Sequence, residues 1–203
     1  MVLLRDCVTY PSSAPDVISW LRRDRRAPEP LEVREPFMNR PARRRIATLV
    51  HPGTEVVEVG AGASTVWLDE RGARVWSLEH DPAWAERVQD ELRRPDSVHL
   101  VEPDFEGRHR STMSGQIFDS YLEKLGVLPA SSADVVIIDG RCRVECVERL
   151  REVVRPGGWL VLDDSQRDRY LPGIALLDGW ERIDAVGFKP PHERCTTSFF
   201  RRP

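Results

Sequence analysis

The stretch EVVEVGAGAST, residues 55–65, decides the fold. Glu55-Val56-Val57-Glu58-Val59 reads as a strand that runs directly into Gly60-Ala61-Gly62. Glycine turns the backbone sharply and lets another chain or a ligand approach it. Residues 63–70 then read as a helix, so the stretch is the strand–turn–helix that opens a parallel α/β sheet. The spacing is G-x-G with Thr65 in the third place of G-x-G-x-x-G. A G-x-G pair alone occurs in many ordinary turns. Glu58, two residues before the first glycine, distinguishes this one. Its carboxylate suits an ammonium-bearing ligand better than a pyrophosphate, or else it caps backbone amides of the turn.

Outward from this turn the pattern alternates. Residues 73–78 form a second strand candidate ending at Glu79, and Asp81 with Pro82 can open the next helix, with Trp84, Val88 and Leu92 on one stripe. Residues 98–101 make a short third strand. A helix includes residues 117–125, with Gly126 placed to cap it. Residues 134–139, DVVIID, are a near-continuous apolar run, as a central strand buried on both faces requires. Val144, Val147, Leu150 and Val154 mark a helix, Pro156-Gly157-Gly158 breaks it, and residues 159–162 return as a strand ending in Asp163-Asp164. Residues 180–188 and 196–200 flank a Pro-Pro turn and have no crossover helix between them, so they pair as an antiparallel hairpin at the sheet edge. Upstream, Pro15 and Asp16 start a short helix through Trp20 and Leu21, residues 27–36 are extended or looped, and a helix covers residues 41–50 with Pro41 near its start. Parallel sheets of this kind bind ligands beyond the carboxyl ends of their strands.

Composition narrows the function. The chain has 203 residues, 40% hydrophobic and 31% charged, which suits one α/β domain with an N-terminal extension, divided here as residues 1–50 and 51–203. A net charge of −3 gives no global pull toward nucleic acid or an anionic membrane. No apolar run approaches the roughly 20 residues that span a bilayer, and the first residues lack a secretory signal, so a cytoplasmic protein is expected. Cys7, Cys142, Cys146 and Cys195 form no CxxC and read as reduced thiols. Of 30 basic residues only Lys124 and Lys189 are lysine. The arginines are spread along the whole chain, and the triplet Arg43-Arg44-Arg45 reads as a solvated helix face.

Several side chains stand at strand ends. Glu79 can accept hydroxyl hydrogens of a ribose. Asp104, after the third strand, either meets an adenine amino group or ends a turn. Arg141, Arg143, Arg167 and Arg169 flank the fourth and fifth strand ends, where they bind an acidic substrate or pair with nearby acids. Tyr170, His192, His109 and His80 are possible proton carriers.

These residues in this order resemble the class I S-adenosylmethionine-dependent methyltransferases. EVGAGAST resembles that family's first motif, SLEHD its second, ADVVIIDG its fourth-strand motif and LREVVRPGGWLVLDD its helix–turn–strand motif, together covering residues 54–164. VGAGASTVWL, SLEHD, IDGR and the closing TTSFF are similar, more narrowly, to a largely uncharacterised bacterial and plant branch. The resemblance implies a Rossmann-like, doubly wound α/β fold: a seven-stranded, mostly parallel sheet with an antiparallel C-terminal hairpin. It places the cofactor over Gly60, Gly62 and Ser64, near Glu58 and Asp104, with its ribose on Glu79.

The resemblance extends distantly to catechol and caffeoyl-coenzyme A type O-methyltransferases, where acids after the fourth and fifth strands hold a divalent metal. Asp139 and Asp163 match those positions, Asp164 stands where asparagine is usual, and Cys142 stands where those enzymes carry lysine. Magnesium held by Asp139, Asp163 and Asp164 is therefore one expectation; loop capping or direct hydrogen bonding by the same acids is the other. The catalytic candidates are Asp139, Asp163 and Arg141. The expected reaction is methyl transfer to a small-molecule acceptor, at a hydroxyl oxygen, with residues 1–50 and 104–132 covering the acceptor and the oligomeric state left open. The rivals are a nicotinamide-dependent oxidoreductase, an RNA methyltransferase, against which the acidic balance argues, and a non-catalytic cofactor-binding module.

Overall fold

The computed structural model describes residues 29–189 and 193–203. The helix expected at residues 15–21, Cys7 and His192 lie outside the described residues. Helices α1 (Pro30–Val33) and α2 (Arg40–Leu49) precede β1 (Glu55–Val59), α3 (Ala63–Glu70), β2 (Arg74–Glu79), α4 (Pro82–Asp90) and β3 (Val98–Leu100). Then follow α5 (Asp119–Leu125), β4 (Ala133–Ile138), α6 (Arg143–Leu150), β5 (Val154–Leu162), α7 (Leu171–Ala175), β6 (Glu181–Lys189) and β7 (Glu193–Arg201). One seven-stranded sheet runs β3-β2-β1-β4-β5-β7-β6. Its first five strands are parallel, and β7 enters antiparallel between β5 and β6. This is the Rossmann-like architecture that the family resemblance implies, with the C-terminal hairpin that the strand pattern predicts.

Side-chain alternation builds the two faces. Val136 and Ile138 of β4 join Val57, Val59, Leu160 and Leu162 in one core, closed by Tyr121, Leu122 and Leu125 of α5 and Val147 and Leu150 of α6. Val135 and Ile137 point the other way and meet Val56, Val161 and Phe199, covered by Ala42 and Ile46 of α2 and Leu68 of α3. Ile46 is fully buried, a contribution of about 1.5–3 kcal/mol from the hydrophobic effect. The described part of the N-terminal extension is thus a layer of the sheet domain. Helix α2 begins where expected because Asn39 accepts the Ala42 N–H at 2.9 Å, and α4 because Asp81 accepts the Trp84 N–H at 3.1 Å.

Three local expectations need correction. Val154 does not end a helix; it opens β5 opposite Ala133, and Pro156-Gly157-Gly158 is absorbed as an irregularity before Val135 pairs with Trp159. Tertiary strand pairing overrides the helical spacing of Val154. The stretch at 27–36 holds one helical turn, α1, with Leu31 buried against Ala63, Val66 and Val88. The helix expected to include residue 117 starts at Asp119, because Ile117 bridges Asp104 and Arg110 instead, and Gly126 caps its far end as expected, its N–H on Glu123 O. Among the described residues, no helix is long and apolar enough to cross a membrane.

Candidate active site

Strand β1 is flanked by β2 on one side and β4 on the other, so chain direction across the sheet reverses between β1 and β4, and their carboxyl ends open a crevice. The backbones there touch. A Cβ on Gly60 would lie 2.9 Å from the Cα and N of Gly140, and one on Gly140 would lie 2.8 Å from the Tyr121 hydroxyl. Gly60 also has φ +95°. Both positions therefore require glycine, and the second, in Asp139-Gly140, lies far from the G-x-G motif. Cys142 and Asp164, just past β4 and β5, adopt left-handed backbone with φ 48° and 55°. Strain of this kind costs about 1–3 kcal/mol per residue and gathers at functional sites.

Glu58 lies beneath the glycine turn, 1% exposed. Its Oε2 accepts from Thr65 Oγ1 at 2.5 Å and Ser77 Oγ at 2.9 Å, and Thr65 Oγ1 in turn accepts the Gly62 N–H at 2.8 Å. Burial pushes the Glu58 carboxyl above its ordinary range, while the Ser64, Thr65 and Ser77 hydroxyls pull it back. Its Oε1 is buried with no hydrogen-bond partner among the described residues. Glu58 thus braces the turn through Thr65 and keeps one acceptor unspent.

Glu79 is 3% exposed. Its Oε2 accepts the Ala61 N–H at 3.0 Å, and its Oε1 accepts those of His80 and Asp81 at 2.8 and 2.9 Å. A carboxylate oxygen has two lone pairs, so Oε2 retains one acceptor position. Gly62 caps α3, and Trp84 Nε1 donates to Ala61 O at 2.7 Å, closing the turn from outside. Asp104 is half-buried and holds Ser120, through its N–H at 2.9 Å and its hydroxyl at 2.6 Å. It ties the loop after β3 to the start of α5.

Asp139, Asp163 and Asp164 do converge, but protein cations meet them. Lys189 Nζ at the end of β6 donates to Asp163 Oδ2 at 3.1 Å and Asp164 Oδ1 at 2.6 Å. Asp163 Oδ1 accepts from Thr197 Oγ1 at 2.6 Å, and Asp164 Oδ2 lies 2.8 Å from Arg167. Arg143 donates to Asp139 Oδ1, Asp139 O and Asp163 O, each at 2.6 Å. Among the described residues, no group of three acids, histidines or cysteines could hold a metal. The expected magnesium site is corrected on this ground: an ammonium occupies the place between Asp163 and Asp164, and the carboxylates are already neutralised. Asp139 keeps Oδ2 without a partner among the described residues, and its side chain is 33% exposed. Burial among the strand ends raises its pKa to about 7 despite Arg143, with Asp163 adding to the rise.

The four flanking arginines part company. Arg143 and Arg167 pair with acids. Arg141 Nε donates to His80 Nε2 at 3.2 Å, and Arg169 lies 5.1 Å over the Tyr170 ring. His109 Nδ1 lies 2.9 Å from Asp119 Oδ1, and Asp119 also accepts the Arg108 and His109 N–H groups, which hold its carboxyl below its usual range. Cys142, raised to about 12 by burial, and the buried Cys146 and Cys195 are free thiols.

Thr65, Ser77, Thr197, Gly140 and Lys189 escaped the sequence reading as site residues. One signal existed for Lys189: it is one of two lysines in a chain whose other 28 basic residues are arginine.

A family model described as a methyltransferase domain matches residues 57–165, more than half of the chain. No curated protein matches the sequence. Among solved structures, the chain is similar to an O-methyltransferase of Bacillus cereus in complex with SAH, with TM-score 0.55 and 16% identity over 73% of this chain and 74% of that one. A cofactor-bound protein of MTB aligns with TM-score 0.55 and 18% identity over 98% of this chain and 94% of that one. A precorrin-6y methyltransferase of Geobacter metallireducens gives TM-score 0.54 and 18% identity over 78% and 87%. At such identities the likeness is one of fold.

Proposed function

The chain belongs to the methyltransferase-domain family, and on that premise we propose that it transfers the methyl group of S-adenosylmethionine to a hydroxyl oxygen of a small acceptor. The observation that carries the reading is the switch in strand order between β1 and β4, where Gly60 turns at φ +95° against Gly140, with a carboxylate acceptor left beside the turn at Glu79 Oε2. The B. cereus O-methyltransferase binds SAH on this fold, which supports the same ligand class here. When bound, S-adenosylmethionine supplies a methyl group already activated by its sulfonium.

The chain's own residues then have separate tasks. Gly60 makes the left-handed turn that packs on Gly140, Gly62 and Ser64 present that turn to the cofactor, and Glu58 holds it in shape through Thr65. Glu79 braces Ala61 and offers its remaining lone pair to a ribose hydroxyl. Asp104 fixes the loop after β3 beside the place an adenine would take. Asp139 presents Oδ2 to the cleft, and a carboxyl with a pKa of about 7 suits a general base acting on an acceptor hydroxyl. Arg143 positions Asp139, tying its carboxylate to the main-chain carbonyl of Asp163. Arg141 lines the same mouth. The segment 104–132 bounds the acceptor side, with Met113 against Arg141.

Calorimetry of S-adenosylmethionine and S-adenosylhomocysteine with the wild type and Glu79→Gln tests the reading. Loss of the hydrogen bonds of this charged group corresponds to about 1.5–3 kcal/mol, or roughly ten- to hundredfold weaker binding. No binding to the wild type would refute it. Binding without turnover, assayed by release of labelled methyl to a panel of hydroxylated acceptors, would favour a module that holds the cofactor and catalyses nothing.

A further inference from the structure

The arginines at the carboxyl ends of β4 and β5 differ in what they face. Arg143 and Arg167 are neutralised by Asp139 and Asp164. Arg141 is half-buried, yet among the described residues it has no carboxylate partner. Its Nε meets an imidazole nitrogen, His80 Nε2, at 3.2 Å, the other ring nitrogen of which lies 2.6 Å from Glu79 Oε1, and its Nη1 meets a thioether, Met113 Sδ, at 3.7 Å. Both are weak substitutes for the water a half-buried guanidinium gives up. Met113 Sδ also receives the Tyr170 hydroxyl at 3.8 Å, and Arg169, likewise without a carboxylate partner among the described residues, stacks 5.1 Å from the Tyr170 ring centre. Arg143 stands 5.3 Å from the same ring while holding Asp139. Met113 and Tyr170 therefore join the half-buried Arg141 and the solvent-exposed Arg169 into one wall beside Asp139.

We propose that this wall binds an anionic group on the acceptor, a carboxylate or a phosphate, with Arg141 supplying the bidentate fork and Arg169 a second, outer contact. The assignment rests on the methyl-transfer reading and adds the acceptor's chemical class: a hydroxyl compound that carries a negative charge. A planar guanidinium with unspent N–H donors matches the two oxygens of such a group. The same geometry accepts the carboxylate of the cofactor's methionine, so the test separates the two sources.

The probes are inorganic phosphate and benzoate, titrated into the full-length protein, free and saturated with S-adenosylhomocysteine, with the arginine Nε–H signals followed by NMR. The expected result is saturable, millimolar binding to the saturated protein that moves the Arg141 signal. In Arg141→Gln it weakens about tenfold or more with S-adenosylhomocysteine affinity unchanged, and Arg141→Lys, which keeps the charge without the fork, loses less. The proposal is overturned by the absence of any Arg141 shift up to about 50 mM anion, a concentration that saturates millimolar sites. Equal anion affinity in Arg141→Gln overturns it too. Anion binding abolished by S-adenosylhomocysteine, together with weaker S-adenosylhomocysteine binding in Arg141→Gln, overturns it in favour of the cofactor's own carboxylate. Anion binding at Arg141 by a protein that takes no S-adenosylhomocysteine at any concentration refutes the methyl-transfer reading instead.

Discussion

Replacing Lys189 with methionine keeps an unbranched side chain one atom shorter and removes its charge. In the wild type the lysine side chain is 8% exposed, Asp163 is 0% and Asp164 is 4%, and the ammonium lies 3.1 and 2.6 Å from their oxygens. Removing one member of a buried ion pair leaves its partners charged in a medium that solvates them poorly, at a cost of about 3–5 kcal/mol. Asp164 retains Arg167 at 2.8 Å and Asp163 retains the Thr197 hydroxyl at 2.6 Å, which places the expected loss near the lower end, about 3 kcal/mol. In a chain of this size that corresponds to a fall in Tm of roughly 6–12 °C. The assay is thermal unfolding by circular dichroism at pH 8, with Lys124→Met, the chain's other lysine, as a control expected to stay within about 0.5 kcal/mol of wild type. A Lys189→Met protein that melts within 2 °C of wild type at pH 8 would refute the claim that this ammonium neutralises the cluster.

Three further outcomes are expected. Dialysis against EDTA leaves the Tm and S-adenosylhomocysteine affinity of the wild type unchanged, because Lys189 and Arg143 already neutralise the acids; recovery of lost binding on adding magnesium would contradict this. Gly140→Ala pushes a methyl group to 2.8 Å from Tyr121 Oη and 2.9 Å from Gly60 N, so stability drops by about 1–3 kcal/mol, as overpacking does, and calorimetry shows weakened cofactor binding. With Asp139 raised to about 7, a base that must be deprotonated gives a rate that climbs with pH below that value and levels off above it. Asp139→Asn removes that rise and lowers kcat more than it raises KM; an unchanged pH profile in the variant would assign the base elsewhere.

The legible part of the fold was the part written in local chemistry. Glu55–Val59 and Ala63–Glu70 fall where their periodicity puts them, and Asp81 and Pro82 start α4 through a cap that needs only neighbouring residues. The spacing of Val154 fits a helix, and only pairing with Ala133 makes it a strand. The places of Glu58, Gly60 and Glu79 at a strand end and its turn were legible because they depend on neighbouring residues alone. Gly140 was not, since its need for glycine comes from the backbone of Gly60, 80 positions earlier.

By itself, then, the sequence determined the succession of strands and helices, the glycine turn after β1 and the acids that end β2, β4 and β5, because steric preference and side-chain period act over a few residues. Only the tertiary structure decided what those acids face. The order β5-β7-β6 carries Lys189 and Thr197 to Asp163 and Asp164 from 25 to 34 residues away. A carboxylate's chemistry depends on the charge set against it in space, so the same three aspartates that suit a metal on paper form an internal ion-pair network in the folded chain.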